Sequence, residues 1–240
     1  MKHLLFAALA ALMLTGCTNV ATFDYAASQG TLARFQAAGA AAKTVAVLPV
    51  LDQRSVYNDP EDSGSFYWGF VPLMPIGYLT KPEPEATDDF VSLGRFHFDA
   101  VNDLANAEAM SLKASGLFAN VKLANNLQQA GNADYLWKGT VTSTYYRGRF
   151  FTYGITYFLA PVLWAIGFPS GSSTNELHIQ FDLIERATGK AVWHYEFADS
   201  DFVVHWLYAR IGEDTIWYPR LMKMAMNNAL RDLVQKNPGL

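Results

Sequence analysis

The chain has 240 residues, of which 51% are apolar and 14% aromatic, and its formal net charge is −4 at pH 7. This length fits one large domain, and a slightly acidic chain without a basic cluster excludes a nucleic-acid-binding protein. The single cysteine excludes an intramolecular disulfide and a cysteine-rich metal site. We therefore expect burial of apolar side chains to hold the fold together.

The first 17 residues have the pattern of a bacterial export signal. Lys2 and His3 precede an apolar run from Leu4 to Leu14, which is too short to span a bilayer as a helix. The following Leu14-Thr15-Gly16-Cys17 resembles the lipobox of bacterial lipoproteins. The resemblance implies that residues 1–16 are a signal peptide and that Cys17 becomes the acylated first residue. The alternative is an ordinary signal peptide whose apolar part happens to end at a cysteine.

The residue after the cysteine indicates where such a protein would be sorted. In Gram-negative lipoproteins an aspartate there favours retention in the inner membrane, whereas this chain has Thr18. The resemblance therefore implies the periplasmic face of the outer membrane. Residues 17–43 are predicted to be a lipidated N-terminus and tether, in which an Ala-rich piece from Tyr25 to Ala42 could form a helix. Residues 44–240 are predicted to form one domain.

The first predicted strand of that domain is Thr44 to Leu51, whose nearly continuous apolar character indicates burial on both faces. Pro49 lacks a backbone donor and predicts a bulge or an edge within it. Asp52 and Arg54 close the strand, at the kind of strand end where α/β proteins place their sites. They are weak candidates for a polar binding site, and a local ion pair is the favoured interpretation.

Two long apolar segments rich in proline and glycine are predicted to be loops. They cover residues 55–88 and 150–175, and the second contains no charged residue. Both follow a strand, so they could meet at one end of the sheet and either join the core or form an exposed apolar patch. An exposed patch would bind a protein partner or enter lipid. Its predicted anchors are Trp68, Tyr78, Phe158, Trp164 and Phe168.

Helical spacing of apolar residues predicts a helix from Thr87 or Asp88 to Ser115, with Gly116 at its C-terminal cap and His97 on its apolar side. A strand over 117–123, a short helix over 124–130 and a strand over 134–146 follow. An amphipathic helix is predicted over 215–236.

Residues 176–202 predict a β-hairpin whose register can be derived. Aligning its two apolar rows places Leu183 opposite Trp193 and leaves 187–189 as a three-residue loop with Gly189 in the left-handed conformation. Asp182 and His194 then face each other on the outer side. Such a pair can poise a general base, but a solvated cross-strand pair is favoured because no nucleophile is in view.

The sequence carries no motif for catalysis, cofactor binding or metal binding. G-x-S-x-G, the P-loop, G-x-G-x-x-G and H-E-x-x-H are all absent. No ligand set can be assigned to the histidines, and His205 has no predicted partner. We therefore expect no enzymatic activity, no cofactor and no metal.

The predicted order of elements gives an α/β fold with a single mixed β-sheet and helices packed on it, an α/β sandwich with two long apolar loops. Its landmarks resemble a set of Gram-negative envelope lipoproteins that includes the curli-secretion lipoprotein, the penicillin-binding-protein activator lipoprotein and exopolysaccharide-export lipoproteins, with a core like the N-terminal domain of TolB. These landmarks are Thr44 to Pro49, Asp52, Arg54, Ser115 to Phe118, Val121, Ala133 to Leu136 and Gly139.

That resemblance implies a non-catalytic accessory protein that binds an envelope protein partner in assembly, export or cell-wall maintenance. A ring-forming, homo-oligomeric subunit of an export apparatus is the first alternative. A periplasmic hydrolase or ligand carrier is the second. The apolar loops lack the alternating pattern of membrane strands, so a pore is not implied.

Overall fold

The structure, a computed structural model, describes residues 20–26, 28, 30–35, 43–55, 65–66, 78–83, 86–91, 95–153, 160–209 and 217–237. In chain order the strands are β1 (Val20–Thr22), β2 (Thr44–Val47), β3 (Leu51–Asp52), β4 (Ser65–Phe66), β5 (Tyr78–Glu83), β6 (Asp89–Val91), β7 (Arg95–His97), β8 (Asn120–Leu123), β9 (Tyr135–Ser143), β10 (Tyr146–Phe151), β11 (Pro169–Glu185) and β12 (Lys190–Trp206). The helices are α1 (Ala100–Ser115), α2 (Ala160–Ala165) and α3 (Trp217–Lys236).

One mixed sheet contains most of these strands, and the long strand β11 runs through it. β12 pairs with one edge of β11, while β9 and β10 follow one another along its other edge, all antiparallel to it. β2 and then β8 extend the sheet beside β9 in parallel, whereas β5 and then β4 extend it beside β10 with antiparallel pairing. A smaller sheet has the order β1-β7-β6. The predicted α/β class with a mixed sheet and packed helices is confirmed.

The core lies where α1 and α3 pack against one face of the main sheet and against each other. Alternate residues of β11 are fully buried, as their period of two predicts: Leu177, Ile179, Phe181 and Leu183. Most of the predicted apolar row of α3 is buried too, with Val234 only partly buried: Leu221, Met222, Ala225, Ala229 and Leu230. The sequence pattern thus predicts correctly which faces meet.

The predicted register of the long hairpin is confirmed, but its loop is longer than expected. Leu183 pairs with Trp193, and Asp182 pairs with His194. A bulge then shifts the register, so that Ile184 pairs with Ala191 and the loop covers the four residues 186–189. The final loop residue, Gly189, has the predicted left-handed conformation, with a φ of 68°.

The predicted start of the first long helix is wrong. α1 begins at Ala100, because the preceding Asp99 adopts an extended conformation and its side chain accepts a hydrogen bond from the Asn102 amide. The chain before it forms the antiparallel pair β6–β7 instead. His97 is therefore an exposed strand residue whose Nδ1 lies 3.2 Å from Asp89 Oδ1, rather than a boundary residue of a helix.

The short helix predicted over 124–130 is also wrong, because local side chains compete with helical hydrogen bonds. The Gln129 amide donates to Asn126 Oδ1 at 2.8 Å, and the Asn125 amide donates to Gln129 Oε1 at 3.0 Å. The segment consequently forms turns. Helix α1 does end as predicted, with Gly116 in the left-handed conformation.

Both segments predicted to be loops contain regular structure. In the first, residues 65–66 and 78–83 form β4 and β5. In the second, residues 160–165 form α2 and residues 169–175 belong to β11, because the partner strands β10 and β12 extend the sheet there. The strand predicted over Thr44 to Leu51 is interrupted at residues 48–50, so Pro49 lies between β2 and β3 rather than at a bulge or an edge within one strand.

Candidate functional site

Four large apolar side chains are exposed at the end of the β11–β12 hairpin that lies away from its loop. Val162 and Ile166 are 55% and 68% exposed, and Leu207 and Tyr208 are 40% and 74% exposed. The two pairs belong together, because Pro169 pairs with Trp206 and the Tyr208 hydroxyl donates to the Ala165 carbonyl at 2.7 Å. We call these four residues the end surface.

The backbone beneath the end surface is held by buried and half-buried aromatic groups. The Trp164 indole Nε1 donates to the Phe151 carbonyl at 3.1 Å, which joins α2 to β10. The Tyr153 hydroxyl donates to the Pro169 carbonyl at 2.6 Å, and its ring meets the Phe168 ring edge to face at 5.5 Å. Burial raises the pKa of Tyr153 to about 12, so this hydroxyl stays a donor at neutral pH. The exposed side chains therefore stand on an ordered base.

The predicted anchors of the apolar patch are distributed differently from the expectation. Trp164 and Phe168 are half-buried and support the end surface from within. Tyr78 lies in β5, paired with Phe151 at the end of β10. Trp68 and Phe158 lie outside the described residues.

Sequence reasoning missed all four residues of the end surface. Two lie within the predicted apolar segment, but nothing in its composition separates the exposed side chains from the supporting ones. Leu207 and Tyr208 follow a strand with regular alternation, and only the turn after β12 brings them beside α2. No pattern in the sequence signals that proximity.

Asp52 and Arg54 form an ion pair where β3 meets the junction of β9 and β10, with the guanidinium buried and the carboxylate partly exposed. The guanidinium Nε and Nη2 donate to the two carboxylate oxygens of Asp52 at 3.0 and 2.9 Å, and Nη1 donates to Thr144 Oγ1 at 2.9 Å. Hydrogen bonds from Arg54 lower the pKa of Asp52. A guanidinium that is 2% exposed and paired in this way holds the fold locally, as the favoured interpretation expected.

Asp182 and His194 lie side by side on the outer face of the hairpin, with His194 Nδ1 2.8 Å from Asp182 Oδ1. The imidazole is exposed and the carboxylate is partly exposed. Lys138 is paired with Asp182 from the neighbouring strand β9. The arrangement is that of a row of polar side chains across three strands.

Replacing Asp182 by asparagine is expected to change the free energy of unfolding by less than about 1 kcal/mol, because solvent screens exposed ion pairs. Urea denaturation of both proteins at pH 7 measures the difference. A loss well above that bound would mean that the pair has a role beyond a surface contact.

Two further features bear on a hydrolase or a ligand carrier. His205 lies 2.9 Å from Ser173 Oγ, but the two residues are only 2% and 1% exposed, so a substrate has no access to them. An apolar depression lined by residues 48–51 and 126–128 is wide open to solvent and does not enclose a ligand. Within the described ranges, no three histidine, cysteine or acidic residues are grouped to hold a metal ion.

Among the described residues, no helix is both long enough and apolar enough to cross a membrane. No protein-family model matches the chain. No curated protein matches it either.

Several solved structures are similar to the chain in outline. The PelC dodecamer from Paraburkholderia phytofirmans matches at 15% identity with a TM-score of 0.35, over 86% of this chain and 98% of that chain. A Xanthomonas campestris protein of family DUF330 matches at 9% identity and a TM-score of 0.44, over 92% and 97%. A homolog of a neuraminyllactose-binding hemagglutinin from Helicobacter pylori matches at 6% identity and a TM-score of 0.37, over 90% and 91%. At these TM-scores the similarities assign neither a family nor a function.

Proposed function

We propose that this protein is a non-catalytic, lipid-anchored accessory protein of the bacterial envelope that acts by binding another protein. Acyl chains on Cys17 would hold it on the periplasmic face of the outer membrane, in assembly, export or cell-wall maintenance. The lipobox-like Leu14-Thr15-Gly16-Cys17 and the following Thr18 support the anchor and its location. The end surface is the observation that carries the binding function.

The end surface has the composition of an interface centre. The centres of protein interfaces are more apolar than the rest of the surface and depleted in charged residues, and residues 150–175 contain no charge. Ile166 and Tyr208 are more than two-thirds exposed on a backbone that Trp164 and Tyr153 hold in place. Because the surface is already ordered, a partner would bury it without a large entropic cost of ordering.

A photo-crosslinking amino acid at Ile166 tests this proposal in cells. A matched probe at Ala187, which is exposed in the loop at the opposite end of the same hairpin, is the control. We expect a discrete crosslinked protein from position 166 that is absent from position 187 and is lost in a Tyr208→Ser background. Identical products from both positions, or none from either, would refute the end surface as the partner site.

A ring-forming subunit is the alternative, and one observation favours it. Among the described strands, the 17-residue β12 pairs with β11 alone and so offers a long edge to another chain. Crosslinking of the membrane-bound protein into discrete high oligomers would favour this alternative. A single crosslinked heterologous partner would favour the accessory protein.

A further inference from the structure

The segment of residues 20–35, which we call the N-terminal strap, is bound to the domain along its described length. At its start, β1 pairs in parallel with β7, and Val20 lies opposite Arg95. Phe23 then stacks on Phe98 with 4.9 Å between the ring centres, directly before α1 begins. The sequence allowed a tether or a helix here, and the described residues among 25–35 form no helix. This part of the predicted tether therefore lies on the domain.

The middle of the strap is held by a buried tyrosine and a buried lysine. Tyr25 is 5% exposed, and its hydroxyl shares a hydrogen bond with the Ser111 hydroxyl of α1. The Lys223 ammonium of α3 donates to the carbonyls of Ser28 and Gly30 at 2.8 and 3.2 Å. Lys223 is only 6% exposed, so these carbonyls replace the water that its charge would otherwise require.

The end of the strap is fastened by Asn227 and by the last turn of α1. Asn227 Oδ1 accepts from the Ala33 amide at 2.7 Å, and Nδ2 donates to the Thr31 carbonyl at 2.9 Å. The Phe35 amide donates to the Ser115 carbonyl at 2.9 Å. The strap therefore follows α1 from its first residue to its last, a length of about 24 Å for 16 residues.

The distance from the strap to the proposed anchor is short. Only Thr18 and Asn19 separate Cys17 from β1. Three residue steps of fully extended chain reach at most about 10 Å. A flexible tether of tens of residues would instead let the domain move away from the membrane and turn freely.

We infer that the start of the strap holds the domain next to the bilayer in one orientation. The end of the domain that carries β1 and β7 lies against the lipid headgroups, and the hairpin loop 186–189 points away from them. This inference rests on the proposed acylation of Cys17. The loop lies at the end of the domain opposite to β1 and β7. Its Arg186 amide donates to the Asp134 carbonyl, and the Asp134 side chain accepts from the Thr44 amide, which lies beyond the C-terminal end of α1. The surface that this end meets is a lipid surface, since an acylated Cys17 would reach at most about 10 Å from Val20. The end surface, at the end of the hairpin away from its loop, then lies on the same side and meets a partner held at the membrane.

Single-cysteine labelling of the full lipidated protein tests the orientation. The chain has no cysteine besides the acylated Cys17, so Ala21→Cys and Ala187→Cys each provide one reactive thiol at an exposed site. Each variant is labelled with a thiol-reactive fluorophore and reconstituted in phosphatidylethanolamine–phosphatidylglycerol vesicles. These vesicles carry a nitroxide on the lipid headgroup, which quenches the fluorescence of nearby labels. We expect several-fold stronger quenching at position 21 than at position 187.

Insertion of a 20-residue Gly/Ser linker after Asn19 should reduce quenching at position 21 to the level at position 187, while the protein still sediments with the vesicles. The same linker inserted between Ala187 and Thr188 is the control and should leave quenching at position 21 unchanged. Equal quenching at both positions without a linker, in protein that sediments, would overturn the inference alone. Protein that fails to sediment with vesicles would overturn the proposed anchor, and this inference with it.

Discussion

Gly139→Ala is expected to lower the free energy of unfolding by about 2 kcal/mol or more, as overpacking of a rigid core does. Gly139 is buried in β9, and a Cβ added there would overlap with Glu108 Oε1 of α1 and come within 3.0 Å of Val50 Cγ2. Both neighbours are themselves buried, so neither can move aside into solvent. Urea denaturation monitored by tryptophan fluorescence measures the loss.

A double-mutant cycle provides the control for this prediction. In a Glu108→Ala background the clashing carboxylate is gone, so Gly139→Ala should cost clearly less there than in the natural protein. Equal costs in the two backgrounds would show that the close approach of Gly139 to Glu108 does not determine the effect.

Glu108→Gln is expected to remove most of the loss of stability that the natural protein suffers as the pH rises. Glu108 is fully buried, its carboxyl oxygens lack a hydrogen-bond partner among the described residues, and the Trp137 indole lies beside it. Burial raises the pKa of Glu108 well above its ordinary value of 4.5, and the nearby Trp137 opposes only part of that rise.

The direction of the effect follows from proton linkage. Above about pH 4.5 the unfolded chain releases the Glu108 proton, whereas the folded chain keeps it until its own raised pKa is reached. The free energy of unfolding therefore falls by up to about 1.4 kcal/mol per pH unit across that interval. The glutamine variant has no such proton, so its free energy of unfolding lacks this fall. Urea denaturation at pH 5, 6.5 and 8 should show a difference that grows with pH.

Glu196→Gln is the matched control, since it neutralises an exposed carboxylate on the same sheet. Its stability should run parallel to that of the natural protein over this pH range. If the Glu108→Gln curve also runs parallel to it, the buried carboxyl is not the source of the pH dependence.

The strands that alternate strictly could be predicted from sequence, and those that depend on partners could not. Leu177, Ile179, Phe181 and Leu183 fixed a hairpin register because a slip of one residue would expose the whole row. Over 90–97 the apolar spacing suits a helix, yet pairing with β1 and the Asp99 cap favours strands. Local periodicity carries no information about such a distant partner.

The sequence indicated the region of the candidate site but not the individual residues that form it. The uncharged composition of 150–175 indicates an apolar surface, but exposure is decided by which side chains find partners. Trp164 finds the Phe151 carbonyl and turns inward, whereas Ile166 follows α2 and faces solvent. The strap escaped prediction for a similar reason, because its small residues are fastened by Lys223 and Asn227 from nearly 200 positions later.

The strap also decides where a truncated, water-soluble form of this protein should begin. Starting the chain at the first central strand, Thr44, would strip the stacked Phe23 from Phe98 and take two carbonyl acceptors from the Lys223 ammonium. Such a fragment would expose the apolar aromatic surface that Phe23 covers, and it should aggregate during purification. A secreted form whose first residue is Val20 keeps these contacts and the pairing of β1 with β7, which suits it to crystallisation or binding assays.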